Sequence, residues 1–283
     1  MRRFVWLGLL APLVCAQNRI GLPSQDLDPG ILVSRDILYA REAVEPAKQA
    51  LDIYRREGLR GAPVLVFLHG GAWVRGDRKQ YPFLANRFAR EGYAVVTPSY
   101  RLSPKYAHPA HVEDAAEAVA WTFRHIREYG GDPERIVVAG HSAGGHLAAL
   151  LGTDAQWLGA HGLKPSQLRG VIGISGVYDL TGPAGRAAGV VFGREPGGLR
   201  AASPRFRLEG NGPPLLLTYC QFDYPTLPEQ ARAFHAAALA LGRRSRLVEV
   251  AGETHVSEIL SIVKEGDATA LAMLEFLAEV AGK

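Results

Sequence analysis

The sequence predicts an α/β architecture: one eight-stranded, mostly parallel sheet with helices on both faces and a short insertion over one end. Three observations lead there. Short apolar runs alternate along the chain with stretches of helical period, the pattern of βαβ units. The 283 residues, 47% hydrophobic and 21% charged, suit one globular domain of that kind. A glycine-flanked serine, in Gly140-His141-Ser142-Ala143-Gly144, stands where one apolar run gives way to helix formers.

Taken in order, Met1-Arg2-Arg3 precedes an apolar stretch of 11 residues from Phe4 to Val14, and then Val14-Cys15-Ala16. This is the layout of an export leader cleaved after Ala16. Eleven residues fall short of the roughly 20 that a spanning helix needs, so no membrane span is expected. A lipid anchor on Cys15 would want Gly, Ala or Ser where Val14 stands. The expected organisation is a leader over 1–16 and one domain over 17–283, secreted or periplasmic. Cleavage would remove Cys15 and leave Cys220 alone, so no internal disulfide is expected. It would also remove Arg2 and Arg3, lowering the formal charge from +4 to +2. No basic stripe is present, and nucleic acid is not an expected partner.

Strands are expected at Ile31 to Tyr39, Ala50 to Tyr54, Val64 to Leu68, Tyr93 to Val96, Ile136 to Ala139, Val171 to Ile174, Leu215 to Leu217 and Leu247 to Val250. Val112, Ala116, Val119, Phe123 and Ile126 recur at helical spacing, as do Leu227, Ala231, Phe234, Ala238 and Leu241, and finally Leu271, Leu274 and Ala278. Residues 177–212, with eight glycines and no clear period, read as a short cap-like insertion rather than a domain boundary. Arg75-Gly76-Asp77 reads as a structural turn rather than an adhesion motif.

The serine pattern carries chemistry because of its context. Glycines two before and two after Ser142 permit a tight strand-to-helix turn that exposes the hydroxyl. His69-Gly70-Gly71-Ala72-Trp73 follows the third strand, where backbone N–H groups of Gly71 and Ala72 can meet an oxyanion from one side while Ala143 meets it from the other. A serine nucleophile needs a base. Of nine histidines, His235 and His255 follow the seventh strand. His235 belongs to a helical stretch and His255 to a loop after the eighth strand, so His255 is the expected base. The acid belongs between nucleophile and base, just past a strand end. Asp223 is preferred, with Asp179 its rival and Glu253 behind both; Asp267 reads as a helix cap. Neither a metal nor another cofactor is expected, since no His-Glu-x-x-His or paired-cysteine motif is present.

The string Gly70-Gly71-Ala72-Trp73, then Tyr100-Arg101-Leu102-Ser103-Pro104, His108-Pro109-Ala110-His111-Val112-Glu113-Asp114, Gly131-Asp132-Pro133-Glu134-Arg135-Ile136 and Gly140 to Ala148 resemble the α/β-hydrolase serine esterases. The likeness runs from about Ile37 to Val280 and is greatest to the bifunctional acetylxylan and feruloyl esterase branch, with hormone-sensitive-lipase-like esterases and kynurenine formamidase-like enzymes nearby. It implies the α/β-hydrolase fold, with Ser142, Asp223 and His255 as nucleophile, acid and base. Ala72 departs from a third glycine common in that family, and Gln221-Phe222-Asp223-Tyr224-Pro225 departs from its glycine-rich approach to the acid.

The expected function is therefore that of a secreted serine carboxylic-ester hydrolase, acting on short-chain or aryl esters, small or linked to plant polysaccharide. Trp73, Tyr178, Phe192 and Tyr224 are candidate walls for a flat acyl group. An arylformamidase or amidase remains open, as does a catalytically idle binding protein of the same fold.

Overall fold

The computed structural model describes residues 22–282, so the leader expected over 1–16 lies outside the described residues. Its eight strands form one sheet in the order β1-β2-β4-β3-β5-β6-β7-β8. They are β1 (Ile31–Leu38), β2 (Ala50–Arg56), β3 (Ala62–Leu68), β4 (Ala94–Pro98), β5 (Gly131–His141), β6 (Gly170–Ile174), β7 (Leu215–Phe222) and β8 (Ser245–Thr254). β1 to β2 and β2 to β4 are antiparallel, and the remaining pairings are parallel. β5 begins earlier than its apolar letters suggest. Gly131 pairs with Ala62 across an irregularity in the ladder, so the Gly131-Asp132-Pro133 sequence conceals a strand start.

The helices are α1 (Pro82–Arg90), α2 (Ala110–His125), α3 (Ala143–Thr153), α4 (Ala155–Gly159), α5 (Pro183–Ala187), α6 (Gly189–Phe192), α7 (Pro196–Ala201), α8 (Leu227–Ala240), α9 (Ser257–Leu260) and α10 (Ala268–Ala281). Side chains alternate across the sheet and divide the core in two. Val64, Val66 and Leu68 join Val119, Leu147 and Phe234 of α2, α3 and α8 on one face. Leu65 and Phe67 join Phe88 and Met273 of α1 and α10 on the other. The central parallel strands are covered on both faces, which is why their sequences read as unbroken apolar runs rather than alternating ones.

Polar ties hold the loops near the carboxyl ends of these strands. Arg101 donates to Asp114 of α2 at 2.7 Å through Nη2, and the Arg101 backbone N–H meets the other carboxylate oxygen at 2.8 Å. Arg78 is buried against Asp52, 3.0 Å away, and also pairs with Asp36. The Arg75-Gly76-Asp77 string is a turn in this network: Lys48 donates to the Gly76 carbonyl at 2.9 Å and to Asp77 at 2.8 Å. Asp267 caps α10 by accepting from the Ala270 N–H at 2.8 Å. Residues 177–212 contain α5, α6 and α7, none longer than six residues, anchored by buried Leu180, Val191 and Leu199.

Candidate active site

β5 ends at His141 and α3 begins at Ala143, so Ser142 alone turns the chain. Its φ of 55° and ψ of −116° are unusual for a residue with a Cβ and are enforced by the packing around it. The Ser142 N–H donates to the Ile174 carbonyl at 2.8 Å, which ties the turn to β6. Gly144 lets α3 lie against β3: a Cβ there would come within 2.1 Å of the Leu68 carbonyl oxygen.

Two further strand ends supply the partners. His255, in the first residue position beyond β8, places Nε2 2.9 Å from Ser142 Oγ. Its Nδ1 lies 2.6 Å from Oδ1 of Asp223, which follows β7 directly. An ionised carboxylate only accepts, so Nδ1 carries the proton and Nε2 is free to accept from the serine hydroxyl. Burial opposes the charge on Asp223, but the His255 ring, the Ser175 hydroxyl and the Tyr224 N–H outweigh it and hold the carboxyl below its ordinary range.

The rivals are occupied elsewhere. Asp179 accepts from Arg205 at 3.0 Å and from the Thr181 N–H at 2.9 Å. His235 sits on α8 and meets Ser245 Oγ at 2.8 Å.

The loop after β3 abuts the Ser142 turn, since a Cβ on Gly70 would lie 3.4 Å from Ser142 Cβ. Gly71 has φ +119°, and its carbonyl accepts from the N–H groups of Val74 and Arg75 at 3.1 Å each. Ala72 and Trp73 follow at φ 53° and 58°. The left-handed conformation accounts for glycine being favoured where Ala72 stands. Tyr100 clamps this loop: its hydroxyl donates to the His69 carbonyl at 2.7 Å, and its ring stacks on the His69 imidazole at 4.1 Å. Ala143 occupies the first position of α3, where helix N–H groups have no partner within the helix.

Imidazoles crowd the site, and burial drives five of them neutral. It takes His69, His108 and His111 down to about 4, and His141 and His146 to about 3. Of the four aromatic candidates, Trp73 packs edge-on to His146 and Phe192, with centroids 5.1 and 4.9 Å away. The Tyr224 ring lies 4.2 Å from the His255 ring and is partly exposed. Tyr178 is not a wall. It is fully buried and stacked on Phe234 at 4.7 Å, because Gly173 and Gly176 leave room for its ring beneath the insertion.

The sequence did not mark Ser175 or Glu258. Ser175 donates to Asp223 Oδ2 at 2.6 Å and also meets Glu258, whose other oxygen accepts from Thr218 at 2.6 Å. Their signal was weak: a lone hydroxyl ending the apolar β6 run, and a glutamate three residues past His255. Cys220, Asp223 and Glu258 also bring one sulfur and two carboxylates within 4.8 Å of one another. Hydrogen bonds from Ser175, Thr218 and His255 already engage both carboxylates.

A mostly parallel sheet of this order, with a serine turn after β5 and an imidazole after β8, is the α/β-hydrolase architecture. The chain belongs to the BD-FAE family, whose sequence profile matches residues 51–237. It is 35% identical over 266 residues to esterase LipC of Mycobacterium tuberculosis (strain ATCC 25618 / H37Rv), covering 87% of this chain and 65% of that one. It thus spans less than two thirds of that relative's length. Its fold is similar to an inhibited esterase B of Lactobacillus rhamnosis, with TM-score 0.78, 20% identity, and coverage of 97% and 94% of the two chains. It also resembles a bifunctional GH43-CE protein of Bacteroides eggerthii, with TM-score 0.74 and 26% identity over 88% of this chain and 35% of that one. Among the described residues no helix is long and apolar enough to cross a membrane.

Proposed function

We propose that this protein is a serine carboxylic-ester hydrolase in which Ser142 is the nucleophile, His255 the base and Asp223 the residue that orients it. The observation that carries the reading is the continuous path from Ser142 Oγ to His255 Nε2 at 2.9 Å and from His255 Nδ1 to Asp223 Oδ1 at 2.6 Å. The named esterase relative supports it.

In this reading Ser142 Oγ bonds to the ester carbonyl carbon as its proton passes to His255 Nε2, and the carbonyl oxygen takes up the electron pair. The N–H groups of Gly71, Ala72 and Ala143 stabilise that oxyanion. Collapse of the tetrahedral species breaks the bond to the alcohol, which leaves with the proton from Nε2. Water then repeats the sequence on acyl-Ser142, freeing the acid. The substrates are esters of short or aryl acids, including acetyl or hydroxycinnamoyl groups on plant polysaccharide. The chain is exported, with residues 1–16 removed, as one domain whose 177–212 segment caps the site. Similarity to a GH43-CE protein favours the carbohydrate ester.

Treatment with an organophosphonate followed by mass spectrometry tests the nucleophile. One adduct on Ser142, abolished in Ser142→Ala, is the expected result; labelling of another serine refutes it. A panel of methyl ferulate, acetylated xylan and an N-formyl aryl amide tests the acyl group. Preference for the formamide overturns the ester reading.

A further inference from the structure

Behind Asp223 the hydrogen bonds do not stop. Ser175 Oγ lies 2.6 Å from Asp223 Oδ2 and within hydrogen-bonding distance of Glu258 Oε2. Glu258 Oε1 in turn accepts from Thr218 at 2.6 Å, with Thr269 at 3.4 Å. A serine hydroxyl has one proton to donate, yet here it touches two carboxyl groups. Both contacts are hydrogen bonds only if one carboxyl brings its own proton. Asp223 also faces the His255 Nδ1–H and the Tyr224 N–H, which favour its charge. Glu258 is completely buried, and its hydrogen bonds are made to hydroxyls, those of Ser175, Thr218 and Thr269.

We propose that Glu258 is held protonated and acts as a positioning residue for the site, donating to Ser175, which donates to Asp223, which receives the proton-bearing nitrogen of His255. The proposal rests on the catalytic reading above and extends it. One negative charge then serves the whole chain of four groups, and Asp223 has both oxygens held by donors while it aligns the imidazole.

The surroundings agree. Glu258 is met by Ser175 from the loop after β6, Thr218 from β7 and Thr269 from α10, with the Cys220 sulfur within 4.8 Å and the Tyr178 hydroxyl near enough to feel its charge, and the nearby charge is Asp223. Burial, reinforced by Asp223, pushes the Glu258 carboxyl up to about 7 against the opposing hydroxyl bonds. The Cys220 thiol is pushed up as well, first by burial and then by the two carboxyls, so it adds no charge. When Glu258 ionises, two anions compete for one hydroxyl and Asp223 loses its fixed donor.

Difference infrared spectroscopy of the whole protein, wild type against Glu258→Gln, tests the proton directly. The carboxylic-acid C=O band of one buried group is expected below neutral pH, disappearing as pH rises through its titration and absent from the variant. Proton NMR of the shared His255–Asp223 hydrogen should shift with the same midpoint in wild type and stay flat in Glu258→Gln. Neither readout requires ester turnover, so both decide the proposal even if the catalytic reading fails. With an active ester in hand, kcat should fall severalfold across that midpoint with KM steady, and the variant should lack that inflection. Should Glu258→Gln not fold, Ser175→Ala serves instead: the infrared band remains while the NMR shift no longer follows it. Absence of the acid band, an unresponsive NMR signal in wild type, or superimposable pH profiles overturns the proposal.

Discussion

The imidazole of His141, the residue before Ser142, donates from Nε2 to the backbone carbonyl of His255 at 2.9 Å, and the two rings lie 4.7 Å apart. The turn that presents Ser142 therefore also fixes the loop that presents the His255 imidazole. Because burial takes His141 down to about 3, this bond is made by a neutral ring at any working pH.

We expect His141→Ala to lower kcat about tenfold with little change in KM and to cost about 1–3 kcal/mol of stability through the buried carbonyl left without a donor. His141→Gln, which keeps a donor, should recover part of both. Steady-state kinetics and urea unfolding on the three proteins measure this, and an unaltered kcat in His141→Ala would mean that the loop holds itself.

Asp223→Asn is expected to reduce kcat by up to about 10⁴-fold, the magnitude seen when the equivalent change reverses the imidazole tautomer in a serine protease. Asp179→Asn should leave kcat within about twofold, a small effect because its ion pair with half-exposed Arg205 is the kind worth about 1 kcal/mol or less. Kinetics of the two variants on one substrate separate the carboxylates, and a larger loss in Asp179→Asn would exclude Asp223 as the acid.

Where the sequence was legible, the structure shows why. Ser142 and Gly144 obey a local rule, since a strand-to-helix turn this tight admits few residue types, and the apolar runs of β3, β5 and β6 report burial on both faces. Asp223 was harder because its departure from a glycine-rich approach hid a position that only the end of β7 defines. Glu258 and Ser175 were invisible for a physical reason. Their relation to Asp223 is made across 83 residues between Ser175 and Glu258, through the ordering of β6, β7 and α9 in space. Tyr178 misled in the other direction, because a loop aromatic looks like a pocket wall until the glycines that admit its ring are seen facing it.

Glu258 also makes a stability prediction with a definite sign. A carboxyl raised to about 7 in the folded state, against an ordinary value of 4.5, stays protonated while the unfolded chain has already released its proton. Stability is then full below pH 4.5 and declines as pH rises towards 7, by something on the order of 3 kcal/mol for this shift. Other groups titrate over the same range, so the readout is the difference between wild type and Glu258→Gln. Urea unfolding at intervals from pH 4 to 8 should find the variant gaining on wild type as pH rises; parallel curves would mean that Glu258 ionises normally.

On the proposed reading, the aromatic rings around Ser142 should limit the acyl group. Phe192, from α6 in the 177–212 segment, packs edge-on against Trp73 at 4.9 Å and His146 at 5.4 Å, and tilts against His108 at 5.0 Å. These rings fill the space between the loop after β3 and the first turn of α3, and in the proposed reading an acyl chain on Ser142 extends towards them. Tyr224 lies over His255, and Phe222, the last residue of β7, is exposed. Aromatic faces of this kind accept a flat or very short acyl group and leave a long flexible chain in water, while the 177–212 segment offers no long apolar helix to shelter it. Across p-nitrophenyl esters of increasing chain length, kcat/KM should be greatest for acetyl to butyryl. Phe192→Ala should move the maximum towards longer chains, since it opens a gap of about one phenyl ring, at a cost of about 3–5 kcal/mol if the ring is fully packed and less here because it is partly exposed. Tyr224→Ala should raise KM for methyl ferulate several times more than for p-nitrophenyl acetate, because the aromatic acyl group of the ferulate loses a stacking partner that an acetyl group does not use. A wild-type maximum at long chains, or an unmoved optimum in Phe192→Ala, would show that the acyl chain takes another path out of the site.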